Sequence, residues 1–205
     1  MQNADAAMYH AKSAGRNNVQ FFTASMNEAA SDRRQLEEDL HLALQQKQFV
    51  LHYQPQVDAQ RRVFAVEALL RWQHPHHGLV PPARFVPLAE DTGLIVPIGQ
   101  WVLETACAQI KAWSVDARTR KLQVAVNVSA RQFRQPDFVE LLRQALDNSG
   151  ANPARLKLEL TESLVLDNVA DTIDKMNAIK LLGVTFSMDD FGTGYSSLSY
   201  LTRLP

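Results

Sequence analysis

The stretch VFAVEALLRW, residues 63–72, holds one acidic side chain in a run rich in aliphatic and aromatic residues. This composition predicts a β-strand, in which successive side chains point to opposite faces of the sheet. One face would carry Phe64, Val66, Ala68, Leu70 and Trp72, and the other Val63, Ala65, Glu67, Leu69 and Arg71. The alternation therefore places Glu67 and Arg71 together, opposite an apolar layer.

Three later β-rich stretches, VAVNVS, LKLELT and TFSMD, also carry an oxygen-bearing side chain toward their carboxyl ends. These are Asn127, which shares a face with Ala125 and Ser129, Glu159, which shares one with Lys157 and Thr161, and Asp189, which shares one with Ser187 and Thr185. A single glutamate at a strand end is ordinarily a solvated charge. Four such side chains in phase indicate a common site instead.

Strand patterns alternate with helical patterns along most of the chain. FVLHYQPQVD and RVFAVEALLRW are separated by a turn-like DAQR and are predicted to pair antiparallel. The strand-helix repeats after them are typical of an α/β fold with a largely parallel sheet. Such a sheet, with its antiparallel first strand, could curl into a (β/α) barrel. The four oxygen-bearing side chains are expected to meet at its C-terminal mouth, where catalytic residues of that architecture lie.

Three carboxylates and an amide oxygen would repel one another at that mouth without positive charge between them. All-oxygen ligands suit Mg²⁺ or Mn²⁺, whereas zinc prefers nitrogen and sulfur. Asp190, adjacent to Asp189, adds an anionic ligand for a second ion. Two divalent ions about 3.5–4 Å apart are the usual arrangement for in-line hydrolysis of a phosphodiester. Arg71 could donate to a phosphate oxygen from the face that carries Glu67.

Composition argues against several classes of function. The chain has 205 residues, a formal net charge of −1 and one cysteine, so no overall positive field attracts a nucleic acid polymer. No apolar run approaches the ~18 residues of a membrane-spanning helix, and the first residues lack the form of a signal peptide. We therefore expect a cytoplasmic location. The single Cys107, which has no second cysteine to pair with, agrees with it.

The motif EALLRW, residues 67–72, resembles the signature of the EAL family of cyclic-di-GMP phosphodiesterases. YQPQV, NVSARQF, LELTES and DDFGTGYSSLSYL are similar to the other motifs of that family, in family order and at compatible spacing. The resemblance runs from about residue 36 to the last residue and rests on five motifs. It implies a (β/α) TIM-like barrel with an antiparallel first strand, truncated here after about five strands. It also implies hydrolysis of cyclic-di-GMP to linear pGpG with two Mg²⁺ or Mn²⁺ ions.

The resemblance also implies a role for individual residues. The metal ligands would be Glu67, Asn127, Glu159, Asp189 and Asp190, with Asp189 bridging and Asp190 belonging to the second ion. Arg71 and Gln54 would contact the dinucleotide. Glu162 matches a carboxylate that anchors the loop DFGTGYSS, and family members use that loop to couple metal binding to the contacts of a homodimer.

Domain boundaries follow from the same resemblance. Residues 1–24 look like the C-terminal end of a GGDEF diguanylate cyclase domain, residues 25–35 are a linker, and residues 36–205 are the first part of an EAL domain. Family members continue into strands that carry a lysine, which orients the nucleophilic water, and a further glutamate ligand. We expect the chain alone to have little or no hydrolase activity, although its parent protein would be an enzyme.

Other interpretations of the same residues stay open. The domain could be a non-catalytic module that binds cyclic-di-GMP or a protein. His74, His76 and His77 could form a metal site, although the prolines and glycine around them favour a surface loop. Cys107 lies within an amphipathic helical pattern, which favours a small core residue over a nucleophile.

Overall fold

A computed structural model describes residues 23–162, 164, 169–189 and 204–205 of the chain. Residues 1–22, which hold most of the predicted GGDEF remnant, lie outside the described residues, as do Asp190 and the loop after it. The chain divides into two compact units between Lys47 and Gln48. The domain boundary that the sequence places near residue 36 stays a prediction.

Helix α1, Ala24–Ala43, belongs to the first unit. Residues 25–35, which the sequence predicts to be a linker, are helical throughout. The stretch ASMNEAAS is rich in alanine, methionine and glutamate, which have high helix propensity, and this explains the early start. Leu36, Leu40 and Ala43 recur at helical spacing and are buried.

The second unit alternates strands with helices. Its strands are β1 (Phe49–Val57), β2 (Val63–His74), β3 (Gly78–Val80), β4 (Gln123–Asn127), β5 (Leu156–Thr161) and β6 (Thr185–Asp189). Its helices are α2 (Pro82–Thr92), α3 (Ile95–Trp113), α4 (Ala130–Phe133), α5 (Phe138–Ser149) and α6 (Val169–Leu181), with a 3₁₀ turn at Pro153–Arg155. Gly183 follows α6 with φ of 95°, a left-handed conformation that glycine adopts without strain.

All the described strands belong to one sheet in the order β1-β2-β4-β5-β6. β3 pairs antiparallel with the last residues of β2, 72–74. β1 pairs antiparallel with β2, as the sequence predicts. β2, β4, β5 and β6 then pair in parallel, each with the next. Across the described residues, β1 and β6 are not joined. The predicted α/β class with an antiparallel first strand is confirmed.

The apolar face of each central strand forms the core between sheet and helices. Its buried side chains are Val66, Ala68, Trp72, Val124, Val126, Leu156, Leu158 and Leu160. Helix α3 packs against β4 and against α5, and both helices turn apolar stripes inward. In α5 the buried residues are Phe138, Leu142, Ala145 and Leu146. No described helix combines the length and apolar character needed to cross a bilayer.

An aromatic cluster closes one end of this core. Phe49 lies about 6 Å, ring centre to ring centre, from Trp72, Phe85 and Trp101. Trp72 is fully buried, and its indole N–H donates to Gln48 Oε1 at 2.8 Å. The cluster ties the start of β1 to β2 and to helices α2 and α3.

His74 departs from the predicted surface loop. It is the last residue of β2 and is buried, and its Nδ1 accepts hydrogen bonds from the backbone N–H of His76 and of His77. These bonds hold the tight turn from β2 into β3, a strand that the sequence did not predict. The three histidines therefore act as turn and packing residues, and only His76 and His77 are exposed.

Cys107 is a core residue of α3, as predicted. Its side chain is fully buried, and burial raises the pKa of its thiol to about 12. A thiol held in the neutral form is a poor nucleophile, so this cysteine contributes packing.

Candidate active site

Strand register places the candidate residues in successive layers on one face of the sheet. Residues at one register level are neighbours and point the same way. The layer nearest the amino ends of β5 and β6 holds Gln54, Glu67, Ala125, Lys157 and Thr185. The next holds Asn127, Glu159 and Ser187, and the uppermost Thr161 and Asp189. The register therefore places these side chains on one face of the sheet but staggered along it, from Glu67 in the middle of β2 to Asp189 at the end of β6.

Glu67 and Asn127 are joined by a direct hydrogen bond. The side-chain amide of Asn127 donates from Nδ2 to Glu67 Oε1 at 2.8 Å. This bond leaves the carbonyl oxygen of Asn127 and the second carboxylate oxygen of Glu67 as acceptors outside it. Gln54 lies directly opposite Glu67 across the antiparallel pair, on the same face.

Glu159 is held in a partly buried and negatively charged environment. Burial raises the pKa of its carboxyl, the nearby charges of Glu67 and Asp189 raise it further, and a hydrogen bond from Ser187 and the charge of Lys157 lower it. The Ser187 hydroxyl donates to Glu159 Oε1 at 3.2 Å. The net direction is upward, chiefly because burial disfavours the charged carboxylate, and the negative charges of Glu67 and Asp189 add to this effect.

The donor set consists only of oxygen atoms, which fits a hard divalent cation such as Mg²⁺ or Mn²⁺. Among the residues that the structure describes, no three His, Cys, Asp or Glu side chains are assembled closely enough to hold a metal ion. The stagger of Glu67, Glu159 and Asp189 along their strands explains this spread. Strands of TIM barrels tilt by about 36° from the barrel axis. Side chains that lie further along each successive strand can therefore still lie at the same height along that axis.

Arg71 and Glu162 occupy the positions that the sequence gives them. Arg71 is half-buried on β2, on the face of Glu67, and its Nη1 donates to the backbone carbonyl of Leu70 at 2.9 Å. Glu162 directly follows β5 and is buried, with 6% of its surface exposed. Both lie at the end of the sheet where Asp189 ends β6.

Replacing Glu159 by glutamine is expected to stabilise the metal-free chain at neutral and alkaline pH. The raised pKa of the Glu159 carboxyl means that the folded chain binds this proton more tightly than the unfolded chain. The associated stability is therefore present in acid and is lost as pH rises through the folded-state pKa. Thermal melting with a chelator should show Glu159→Gln melting above wild type in alkaline buffer, with the difference shrinking in acid.

The control for that experiment is Glu104→Gln, which replaces an exposed glutamate on α3. Its melting temperature should follow wild type at every pH. If Glu159→Gln also follows wild type at every pH, the raised pKa assigned to the Glu159 carboxyl is wrong.

Arg131, in the segment after Asn127, is hydrogen-bonded to the end of α2. The guanidinium donates from Nη1 to the backbone carbonyls of Glu90 and Asp91, the latter at 3.2 Å. A cation on the last carbonyls of a helix is favourable, because those carbonyls lack intrahelical partners and carry the negative end of the helix dipole. Gly93 has φ of 86°, and a side chain there would come within 2.9 Å of Arg131 Nη2.

Lys175 of α6 performs the same function at the other side of the segment. Its amine lies 3.2 Å from each of three backbone carbonyls, those of Phe133, Arg134 and Gln135. The side chain is 13% exposed and also pairs with Asp171 at 3.3 Å. Since an ammonium group has three donors, it can satisfy all three carbonyls at the end of α4.

Gln132 completes the attachment of α4. Its buried side chain lies against Gly99 in the middle of α3, where a Cβ would collide with the amide group. Ser129 caps α4 by accepting from the backbone N–H of Gln132 at 3.1 Å. The chain that begins at Asn127 is therefore fixed against α2, α3 and α6.

Sequence reasoning assigned no role to Ser187, Lys157, Arg131 or Lys175. The period-two pattern already put Ser187 and Lys157 on the face of the ligands, and this pattern could have marked them as supporting residues. Arg131 and Lys175 carry no such signal, because their targets are backbone carbonyls of distant segments.

The chain matches the family model "EAL domain" over residues 37–205. It is 50% identical over 206 aligned positions to the "Bifunctional diguanylate cyclase/cyclic di-GMP phosphodiesterase MucR" of Pseudomonas aeruginosa, covering 100% of this chain and 30% of that protein. It is 42% identical to the "Cyclic di-GMP phosphodiesterase NbdA" of the same organism, covering 100% of this chain and 26% of that protein. The chain thus spans under a third of the length of these relatives.

The fold is similar to a solved structure described as "PaMucR Phosphodiesterase, c-di-GMP complex". The TM-score is 0.79 at 49% sequence identity, over 83% of this chain and 69% of that one. This similarity supports the predicted α/β fold with a mostly parallel sheet.

Proposed function

We propose, from the premise that this chain belongs to the EAL domain family, that it forms part of an enzyme that hydrolyses cyclic-di-GMP to linear pGpG. The observation that carries the proposal is the linkage of Glu67, Asn127 and Glu159. A hydrogen bond joins the first two, and burial together with the charge of Glu67 raises the pKa of the third. Relatives with phosphodiesterase names at 42–50% identity support the same reaction.

The metal ligands in this proposal are Glu67, Asn127, Glu159 and Asp189, with Asp190 for a second ion. When bound there, two Mg²⁺ or Mn²⁺ ions supply the positive charge that the site lacks and stabilise the attacking and leaving oxygens of a phosphodiester. Asn127 fixes the Glu67 carboxylate through its amide N–H, and Ser187 fixes Glu159 through its hydroxyl. The side chains thus hold their oxygens in place before a cation arrives.

Arg71 and Gln54 are the proposed contacts to the dinucleotide. Arg71 lies beyond Glu67 on the same face and has donors in addition to the one bound to Leu70. A guanidinium can bind a phosphate with two parallel hydrogen bonds. Gln54 flanks Glu67 from β1, and Glu162 is the proposed anchor of the loop after β6.

The test is hydrolysis of cyclic-di-GMP by the chain and by the full-length gene product, with Mg²⁺, with Mn²⁺ and with a chelator. We expect metal-dependent formation of pGpG by the full-length product and little or none by the chain alone. Binding of cyclic-di-GMP without turnover in either protein would favour a non-catalytic receptor and overturn the proposed enzyme. Turnover by the chain alone would show that these residues suffice.

Two further parts of the proposal concern the surroundings of the domain. We infer that residues 1–24 are the end of a GGDEF domain, because the match to MucR, whose name includes a diguanylate cyclase, extends over the whole chain. We also propose that the EAL domain forms a homodimer. Light scattering of the full-length product, with and without cyclic-di-GMP, would measure that association.

A further inference from the structure

Both candidate glutamates use their carboxylates in the same way. Glu67 Oε1 accepts from Asn127 Nδ2 at 2.8 Å, and Glu159 Oε1 accepts from Ser187 Oγ at 3.2 Å. In each case the donor lies on the next strand of the sheet, β4 for Glu67 and β6 for Glu159. Each bond occupies one carboxylate oxygen and leaves Oε2 outside it.

Register explains why Ser187 is the donor for Glu159. The two residues are paired directly across β5 and β6 and share a face, and both are half-buried. A serine hydroxyl has one proton, which rotates to the strongest acceptor within reach. The carboxylate is that acceptor, because hydrogen bonds to ionised groups are stronger than those to neutral groups.

A carboxylate with one oxygen engaged is restricted in how it binds a cation. Ca²⁺ accepts six to eight oxygen ligands and commonly takes both oxygens of one carboxylate, whereas Mg²⁺ requires near-octahedral geometry with shorter bonds. A hydrogen bond on Oε1 competes with two-oxygen binding and leaves one-oxygen binding through Oε2 intact. The bond from Ser187 therefore disfavours Ca²⁺ more than it disfavours Mg²⁺.

We infer that Ser187 is a positioning residue that holds Glu159 as a one-oxygen ligand and so favours small octahedral cations over Ca²⁺ at this site. The inference rests on the proposed function, because it requires that Glu159 bind a cation. Partners that orient metal ligands typically change metal affinity by about 10–100-fold when removed. The effect sought is a change in the ratio of two affinities, which a general loss of structure would not produce.

The experiment is calorimetric titration of the full-length gene product with Mg²⁺ and, separately, with Ca²⁺, in the absence of nucleotide. In Ser187→Ala the Mg²⁺ affinity should fall by about tenfold, while the Ca²⁺ affinity stays constant or rises. Ser187→Thr keeps a hydroxyl at the same position and should restore the wild-type ratio. Ser114→Ala removes an exposed serine after α3 and is the matched control.

The outcomes separate this inference from the proposed function. If wild type binds neither cation, the proposed metal site itself is wrong and the inference falls with it. If wild type binds Mg²⁺ but Ser187→Ala keeps the wild-type ratio of affinities, or loses both affinities in parallel, Ser187 does not select the cation. Thermal melting of each metal-free variant checks that the ratio is compared between folded proteins.

Discussion

Replacing Glu67 by glutamine is expected to lower cyclic-di-GMP hydrolysis by the full-length gene product by about a thousandfold. A bound divalent cation stabilises transition-state charge by several kcal/mol, and each 1.4 kcal/mol corresponds to about tenfold in rate. Glutamine removes the negative charge but keeps an oxygen that can accept from Asn127 Nδ2. The variant should therefore bind the divalent cation less tightly but keep its fold.

Initial rates in saturating Mn²⁺, followed by separation of pGpG from the substrate, would measure this loss. Glu104→Gln is the matched control, since it makes the same chemical change at an exposed position on α3. A Glu67→Gln variant within tenfold of wild type would remove Glu67 from the set of metal ligands. A variant that fails to fold would be recognised by its circular dichroism.

Replacing Trp72 by alanine is expected to reduce the free energy of unfolding of the chain by about 3–5 kcal/mol. Trp72 is fully buried in the aromatic cluster and donates to Gln48. The change would leave a cavity among Phe49 and Phe85 and would also leave the Gln48 side-chain oxygen without this donor. Folded domains are stable by only about 5–15 kcal/mol, so the loss is a large share of the total.

Urea unfolding followed by circular dichroism would measure the effect. Phe64→Ala, on the same strand but at a side chain that is 48% exposed, should cost about 1 kcal/mol or less. Equal losses in the two variants would show that the buried contacts of Trp72 contribute no more to stability than an exposed side chain does.

The parts of the site that follow strand periodicity could be predicted from sequence. Glu67, Asn127, Glu159 and Asp189 share one face because alternation along a strand is strict, and the register confirms that face. The parallel order of the strands followed equally from the alternation of strand and helix patterns. These features depend on local rules, which a single sequence contains.

Features that depend on distant contacts could not be predicted. His74 had the surroundings of a surface loop, yet its Nδ1 caps a tight turn and its ring is buried. Arg131 and Lys175 bind backbone carbonyls of distant segments. Every residue has such a carbonyl, so the residue types of these segments do not indicate the contact.

The close contacts of Gly93 with Arg131 and of Gly99 with Gln132 restrict the order in which this domain can change during evolution. At Gly93 the left-handed φ of 86° disfavours any larger residue, whatever stands at position 131. At Gly99 a larger residue becomes tolerable only after Gln132 has been shortened or moved, and the reverse order passes through an intermediate with a steric clash beside the segment that begins at Asn127. Positions 99 and 132 are therefore expected to show epistasis and to diverge together or not at all.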